Sequence, residues 1–163
     1  MRLDNRVLDS VEAYNTLINR SKAVGRLIHG VQGSGNCVPY RNSLYIFSGT
    51  REDNHACDHV QVYDTKQNTC TLLSPPMPGN YDLMRAVLWK TCVILLGCDS
   101  CLVFDIETGK WNERHQFRTD GDHFGLVLEN ERIFIIGGGT DSKGENEKKL
   151  PGNAKTTYAT SLC

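Results

Sequence analysis

Four groups of residues in this 163-residue chain have types and spacings that could support chemistry. Cys98-Asp99-Ser100-Cys101 has the spacing of a zinc or redox cysteine pair. A structural zinc site takes four ligands, normally two such pairs, and the nearest further donors are His55, Cys57 and His59. His115, Asp120, Asp122 and His123 form a local His/Asp cluster, but no Gly-x-Ser-x-Gly supplies a nucleophile in register. Gly137-Gly138-Gly139-Thr140 could open a phosphate loop, yet neither a Lys-Ser/Thr at Walker spacing nor a helical pattern follows it. Tyr14, Tyr63, Phe104 and Trp111 could offer an aromatic surface to a ligand.

Each group belongs to a repeated pattern that accounts for it without chemistry. From Leu83 to Trp111, apolar runs of strand length alternate with polar turns, which predicts an antiparallel sheet. The series recurs on both sides. Tyr63-Asp64 reappears as Phe104-Asp105, a shift of 41 (104 minus 63), and Cys70 meets Trp111 at the same shift. Upstream, Tyr14-Asn15 meets Tyr63-Asp64 at a shift of 49 (63 minus 14). The apolar runs ending in Ser48-Gly49, Gly97-Cys98 and Gly137-Gly138 align at shifts of 49 and 40. A period of about 40 to 50 residues with several strands per unit indicates a propeller array. In that register Cys98 fills a strand-end slot, Cys101 starts a strand and the aromatics pack between sheets. The glycines allow a sharp exit with positive φ, and the His/Asp cluster is loop polarity.

This pattern resembles the kelch repeat, whose unit has an apolar strand ending in Gly-Gly, then Tyr-Asp, then Trp about six residues on. Gly137-Gly138 keeps the doublet, while Gly49 and Gly97 each keep half. Tyr14, Tyr63-Asp64 and Phe104-Asp105 keep the aromatic pair, and Trp111 alone keeps the tryptophan. The expected fold is therefore all-β, a partial kelch-type propeller of four-stranded antiparallel blades. The expected organisation is residues 1–35 as the outer half of a blade with a linker, then blades over 36–80 and 81–121. The first strands of a further blade follow over 122–139, and 140–163 is a disordered or non-repeat tail. Leu17 to Ile28 has partly helical spacing, but the repeat places an edge strand near Lys22 to Leu27. Kelch propellers have five to seven blades, so an incomplete ring is expected.

Formal net charge is -1, from 18 Lys and Arg against 19 acidic residues without a dense basic run, which excludes general nucleic-acid binding. No apolar run approaches the ~20 residues of a membrane span, and Met1 to Arg6 lacks a signal-peptide core. Seven cysteines, mostly in apolar strand patterns, suggest reduced thiols and a cytoplasmic protein.

The resemblance implies a protein-binding module. Many similar propellers form the substrate-recognition half of BTB-kelch adaptors of cullin ubiquitin ligases; others bind actin. The repeats here begin almost at Met1, so cullin recruitment is expected only through a BTB region absent from this chain. The second reading, from another class, is a metal-dependent enzyme such as a copper oxidase on a kelch-like propeller. No catalytic residue, metal ligand or cofactor is assigned. Recognition is expected on loops: Arg51, Glu52, Asp53 and His55 after one apolar strand, and Tyr81, Asp82 and Arg85 before another. In similar kelch proteins both classes of loop open on one face and hold peptides. Arg offers bidentate pairing and Tyr a rigid amphipathic face.

Overall fold

The computed structural model describes residues 7–32, 36–47, 49–50, 55–81, 84–97, 100–114, 124–138 and 156–157, and every regular element among them is a strand. The chain divides into two compact units, Met1–Asp82 and Leu83–Cys163.

The first unit holds a two-stranded hairpin, β1 (Ser10–Asn15) with β2 (Arg20–Arg26), and a four-stranded antiparallel meander. The meander is β3 (Cys37–Tyr40), β4 (Ser43–Phe47), β5 (Val60–Asp64) and β6 (Thr69–Leu72), in that order. The second unit repeats it as β7 (Arg85–Trp89), β8 (Cys92–Leu96), β9 (Cys101–Asp105) and β10 (Lys110–Arg114). It adds β11 (Gly125–Glu129) paired with β12 (Arg132–Ile136), and β13 (Thr156–Thr157) on the other edge of β12. The described residues thus form two complete four-stranded antiparallel sheets of blade type, with a two-stranded and a three-stranded sheet beside them in the sequence. Of the stretch from Leu17 to Ile28 with partly helical spacing, Leu17 lies in the turn between β1 and β2, where Asn19 has φ 51°, and Arg20–Arg26 is the strand β2.

The hairpins form where the residue types permit tight turns. β3–β4, β7–β8 and β11–β12 each close through two residues, with partners Tyr40↔Ser43, Trp89↔Cys92 and Glu129↔Arg132 flanking them. Arg41, Lys90 and Asn130 lead these turns at φ 54°, 56° and 48°, the left-handed region that suits the twist of a two-residue hairpin. At the first two, the cation lies over the preceding ring. Arg41 Cζ is 5.0 Å from the Tyr40 centroid and Lys90 Nζ is 4.3 Å from that of Trp89, so the cation–π contact recurs at one blade position.

The second hairpin of each repeat is set by the aromatic–Asp pair. Asp64 Oδ1 accepts from the Lys66 and Gln67 amides, both at 2.8 Å. Asp105 Oδ1 accepts from Glu107 and Thr108 at 2.9 and 3.3 Å, and Asn15 Oδ1 from Leu17 and Ile18 at 3.0 and 3.3 Å. A short carboxylate or amide satisfying the two amides ahead of it is what makes Asp or Asn the turn former here. The repeat therefore extends to the hydrogen bond, across all three of these hairpins.

In the second unit the core lies between two sheets. Val87, Ile94, Leu96, Cys101 and Val103 pack with Phe124 and Ile133, and Leu126, Leu128 and Ile135 close the cluster. β8 is buried at every position, which is why Cys92-Val-Ile-Leu-Leu shows no polar alternation. Cys37, Cys57, Cys70 and Cys101 keep their thiols outside any disulfide, as expected of reduced cysteines. Cys92 departs from that expectation, being disulfide-bonded; a cysteine within an unbroken apolar run carries no sequence sign of its redox state. No helix among the described residues is long and apolar enough to cross a membrane.

Candidate functional site

The loop leaving β4 is held at its root by backbone geometry. Gly49 has φ 123°, and a Cβ built there would lie 2.8 Å from Val31 Cβ, so only glycine fits both the torsion and the space. Thr50 then bridges to Gln32 on one side and to Ala56 on the other. The Cys57 amide donates to Gly49 O at 3.0 Å, and the Met77 amide to Asp58 O at 2.9 Å. A loop pinned at both ends can carry side chains to a fixed place. His55 is exposed on it, whereas Arg51, Glu52 and Asp53 lie outside the described residues.

Where this loop returns to β5, three donor groups converge. Cys57 Sγ is 2.9 Å from His59 Nδ1 and accepts from the His59 amide at 3.3 Å. Asp58 Oδ1 is 3.3 Å from the same His59 Nδ1. Cys57 is 2% exposed, while Asp58 and His59 are half-buried. A fourth group, the His29 ring, lies beside the His59 ring, with centroids 4.8 Å apart and planes tilted by 51°.

His29 is fixed by a neighbour that the apolar pattern of β5 conceals. Gln61, 1% exposed, accepts from the His29 amide through Oε1 and donates to His29 O through Nε2, both at 2.9 Å. One side-chain amide thus replaces a rung of backbone ladder, satisfying both polar groups of His29 and both ends of itself. His55, Cys57 and His59 stand out in the sequence, but His29 and Gln61 do not. The one available signal was an amide at 61 where the repeat has Leu102 (102 minus 61 is again 41).

The second expected group is divided between roles. Tyr81 is half-buried, its ring against Gly79, where an added Cβ would meet it at 3.1 Å. Arg85 opens β7 with Nε donating to Phe124 O at 3.2 Å and Nη1 to Met84 O at 3.0 Å. This guanidinium braces the segment entering β11. Asp82 lies outside the described residues, as do Cys98, Asp99 and the cluster from His115 to His123. Cys101 starts β9 with 5% exposure.

The repeat aromatics do not share one environment. Tyr63 and Phe104 are 1% exposed at matching registers, opposite Cys70 and Trp111. Tyr14 occupies the same motif position and is 59% exposed. Of the strand-end glycines, Gly49 and Gly138 share nearly one torsion, φ 123° and 120°, and Gly137 has φ 74°.

No family model matches the chain. Among curated proteins it is 26% identical to mouse Kelch-like protein 35, over 96% of this chain and 28% of that protein. It is 24% identical to Xenopus laevis Kelch-like protein 40, over 90% of this chain and 25% of the relative. For Danio rerio Kelch-like protein 41b the figures are 26%, 82% and 23%. The chain thus spans about a quarter of the length of the curated relatives it matches. With the strand-end glycines, the Asp-capped turns and the four-stranded antiparallel sheets in place, these matches make the chain similar to the kelch-like proteins over most of its own length.

Proposed function

We propose that this chain contributes part of the protein-recognition surface of a kelch-type propeller. The observation that carries the reading is the fate of its strand side chains. Those of β5, β8 and β9 are largely consumed by packing, which leaves the connecting loops to meet a partner. Arg51, Glu52, Asp53 and His55, on the loop rooted at Gly49, are the primary contact group, with Tyr81 and Asp82 as a second. Arg85 holds β7 to the Phe124 backbone and supports this role indirectly. The partner is a protein segment with charges complementary to Arg51 and the adjoining acids. Recruitment of such a segment to a cullin ligase belongs to a longer protein that also carries a BTB region. Binding to actin is the alternative within the same class.

The test is affinity capture with the chain, its Arg51→Ala and Tyr81→Ala variants, and Arg85→Ala. Proteins held by the parent chain and released by Arg51→Ala or Tyr81→Ala are expected. Arg85→Ala is expected to lower stability while the folded fraction keeps its partners. Partners retained unchanged by both loop variants would overturn the assignment of this surface.

A further inference from the structure

The recognition loops leave unused the group of donors behind them. We propose that Cys57, Asp58 and His59, with His29 alongside, form a binding site for one zinc-class divalent cation. The three residues supply one thiolate, one imidazole and a carboxylate, a donor set of borderline softness that favours zinc over magnesium or calcium. The Sγ, Nδ1 and carboxylate oxygen of Cys57, His59 and Asp58 all lie within 4.8 Å of one another.

The distances permit it. Tetrahedral zinc with bonds of about 2.3 Å to sulfur and about 2.0–2.1 Å to nitrogen or oxygen places sulfur and nitrogen about 3.6 Å apart, and nitrogen and oxygen about 3.3–3.4 Å. Asp58 Oδ1 and His59 Nδ1 already stand 3.3 Å apart. Cys57 Sγ and His59 Nδ1, at 2.9 Å, need to part by about 0.7 Å to reach that spacing, within the reach of one side-chain rotation. On binding, the Cys57 thiol loses its proton to solvent, and His59 coordinates through Nδ1 with its proton on Nε2.

Two further features are independent of that triad. The loop is clamped on both sides of Cys57 and Asp58 by the Gly49 and Met77 backbone bonds. His29 is held from an earlier segment, 30 residues away (59 minus 29), by the buried Gln61 amide. These bonds hold the His29 backbone, and so help to place the ring that lies against His59.

Cobalt(II) titration of the metal-free full chain tests the site. One equivalent is expected to give a thiolate-to-cobalt charge-transfer band and the intense visible bands of tetrahedral cobalt, both displaced by zinc. The paired Cys98→Ser, Cys101→Ser variant is expected to keep both bands. Cys57→Ser should abolish the charge-transfer band. X-ray absorption on the zinc-loaded parent chain gives a readout independent of any variant, with one sulfur neighbour expected. Absence of a charge-transfer band in the parent chain would overturn the proposal. So would a band that survives Cys57→Ser, a band lost only in the Cys98/Cys101 variant, or two or more sulfur neighbours.

Discussion

The sheets β3–β6 and β7–β10 share a frame and differ in what fills it. At one position the first has Tyr63 and the second Phe104; five residues on stand Asn68 and Gly109; opposite the aromatic stand Cys70 and Trp111. In the first sheet Tyr63 Oη donates to Asn68 Oδ1 at 3.2 Å. In the second, Phe104 has no hydroxyl and its ring lies against Trp111, centroids 4.7 Å apart. Two strand positions earlier than each aromatic the contrast repeats, a buried Gln61 against a buried Leu102. The frame therefore prescribes backbone and turn, and leaves each sheet free to be held by polar or apolar means. The polar choices cluster in the sheet that carries the Cys57–His59 group.

The largest break in this comparison is expected at Gln61. Gln61→Leu gives the first sheet the second sheet's residue, but strips the His29 amide and carbonyl of their partners. An unpaired buried backbone group costs about 1–3 kcal/mol; His29 is half-buried, so a loss of about 1–4 kcal/mol for the two groups together is expected in urea unfolding. The converse change, Leu102→Gln, places an amide at a position with 0% exposure and is expected to cost a similar amount. If Gln61→Leu is neutral, the amide bridge is not what holds His29.

The strand-end glycines give a middle-sized effect and sharpen the same contrast. Gly49 is at φ 123° with Val31 in the way of a side chain. Gly97 shows no left-handed torsion, and a Cβ there would touch Met84 at an ordinary 3.7 Å. Gly49→Ala is expected to destabilise by about 1–3 kcal/mol, whereas Gly97→Ala should stay within about 1 kcal/mol of the parent. Equal losses at both would mean that the doublet is required for something other than torsion and space.

What was legible in the sequence follows from what a short window can encode. Tyr63-Asp64 and Phe104-Asp105 announce their strand ends and turns because the carboxylate bonds amides two and three residues ahead, a local interaction that each repeat writes out again. Environment was not legible where it depends on distant packing. Tyr14 carries the motif and is exposed, while Tyr63 is buried, its ring close to Gly25 of β2. The role of Gln61 needed His29, 32 residues away (61 minus 29). The candidate site was half visible, as a Cys and His pair two residues apart. Its depth, its second histidine and its clamped loop come from the pairing of segments that no periodicity links.

The smallest expected effect also bears most directly on whether the two sheets are interchangeable. Tyr14 and Tyr63 donate to Asn19 and Asn68, each five residues on, and both asparagines have left-handed torsions, φ 51° and 56°. Where the aromatic is Phe104, the residue five on is Gly109, at φ 68° with nothing within 4 Å of an added Cβ. Asparagine tolerates that torsion better than other residues with a side chain, and the space is open. Phe104→Tyr alone buries a hydroxyl without its asparagine and is expected to cost about 1–3 kcal/mol. Gly109→Asn alone should cost well under 1 kcal/mol, since it adds an exposed side chain at a tolerated torsion. Combined, the two changes should recover about 0.5–1.5 kcal/mol of the Tyr penalty, the worth of one hydrogen bond, read as the coupling energy of a double-mutant cycle in urea unfolding. Zero coupling would mean that Trp111 holds the Phe104 ring away from the turn, and that the Tyr–Asn bond belongs to the sheets without that tryptophan.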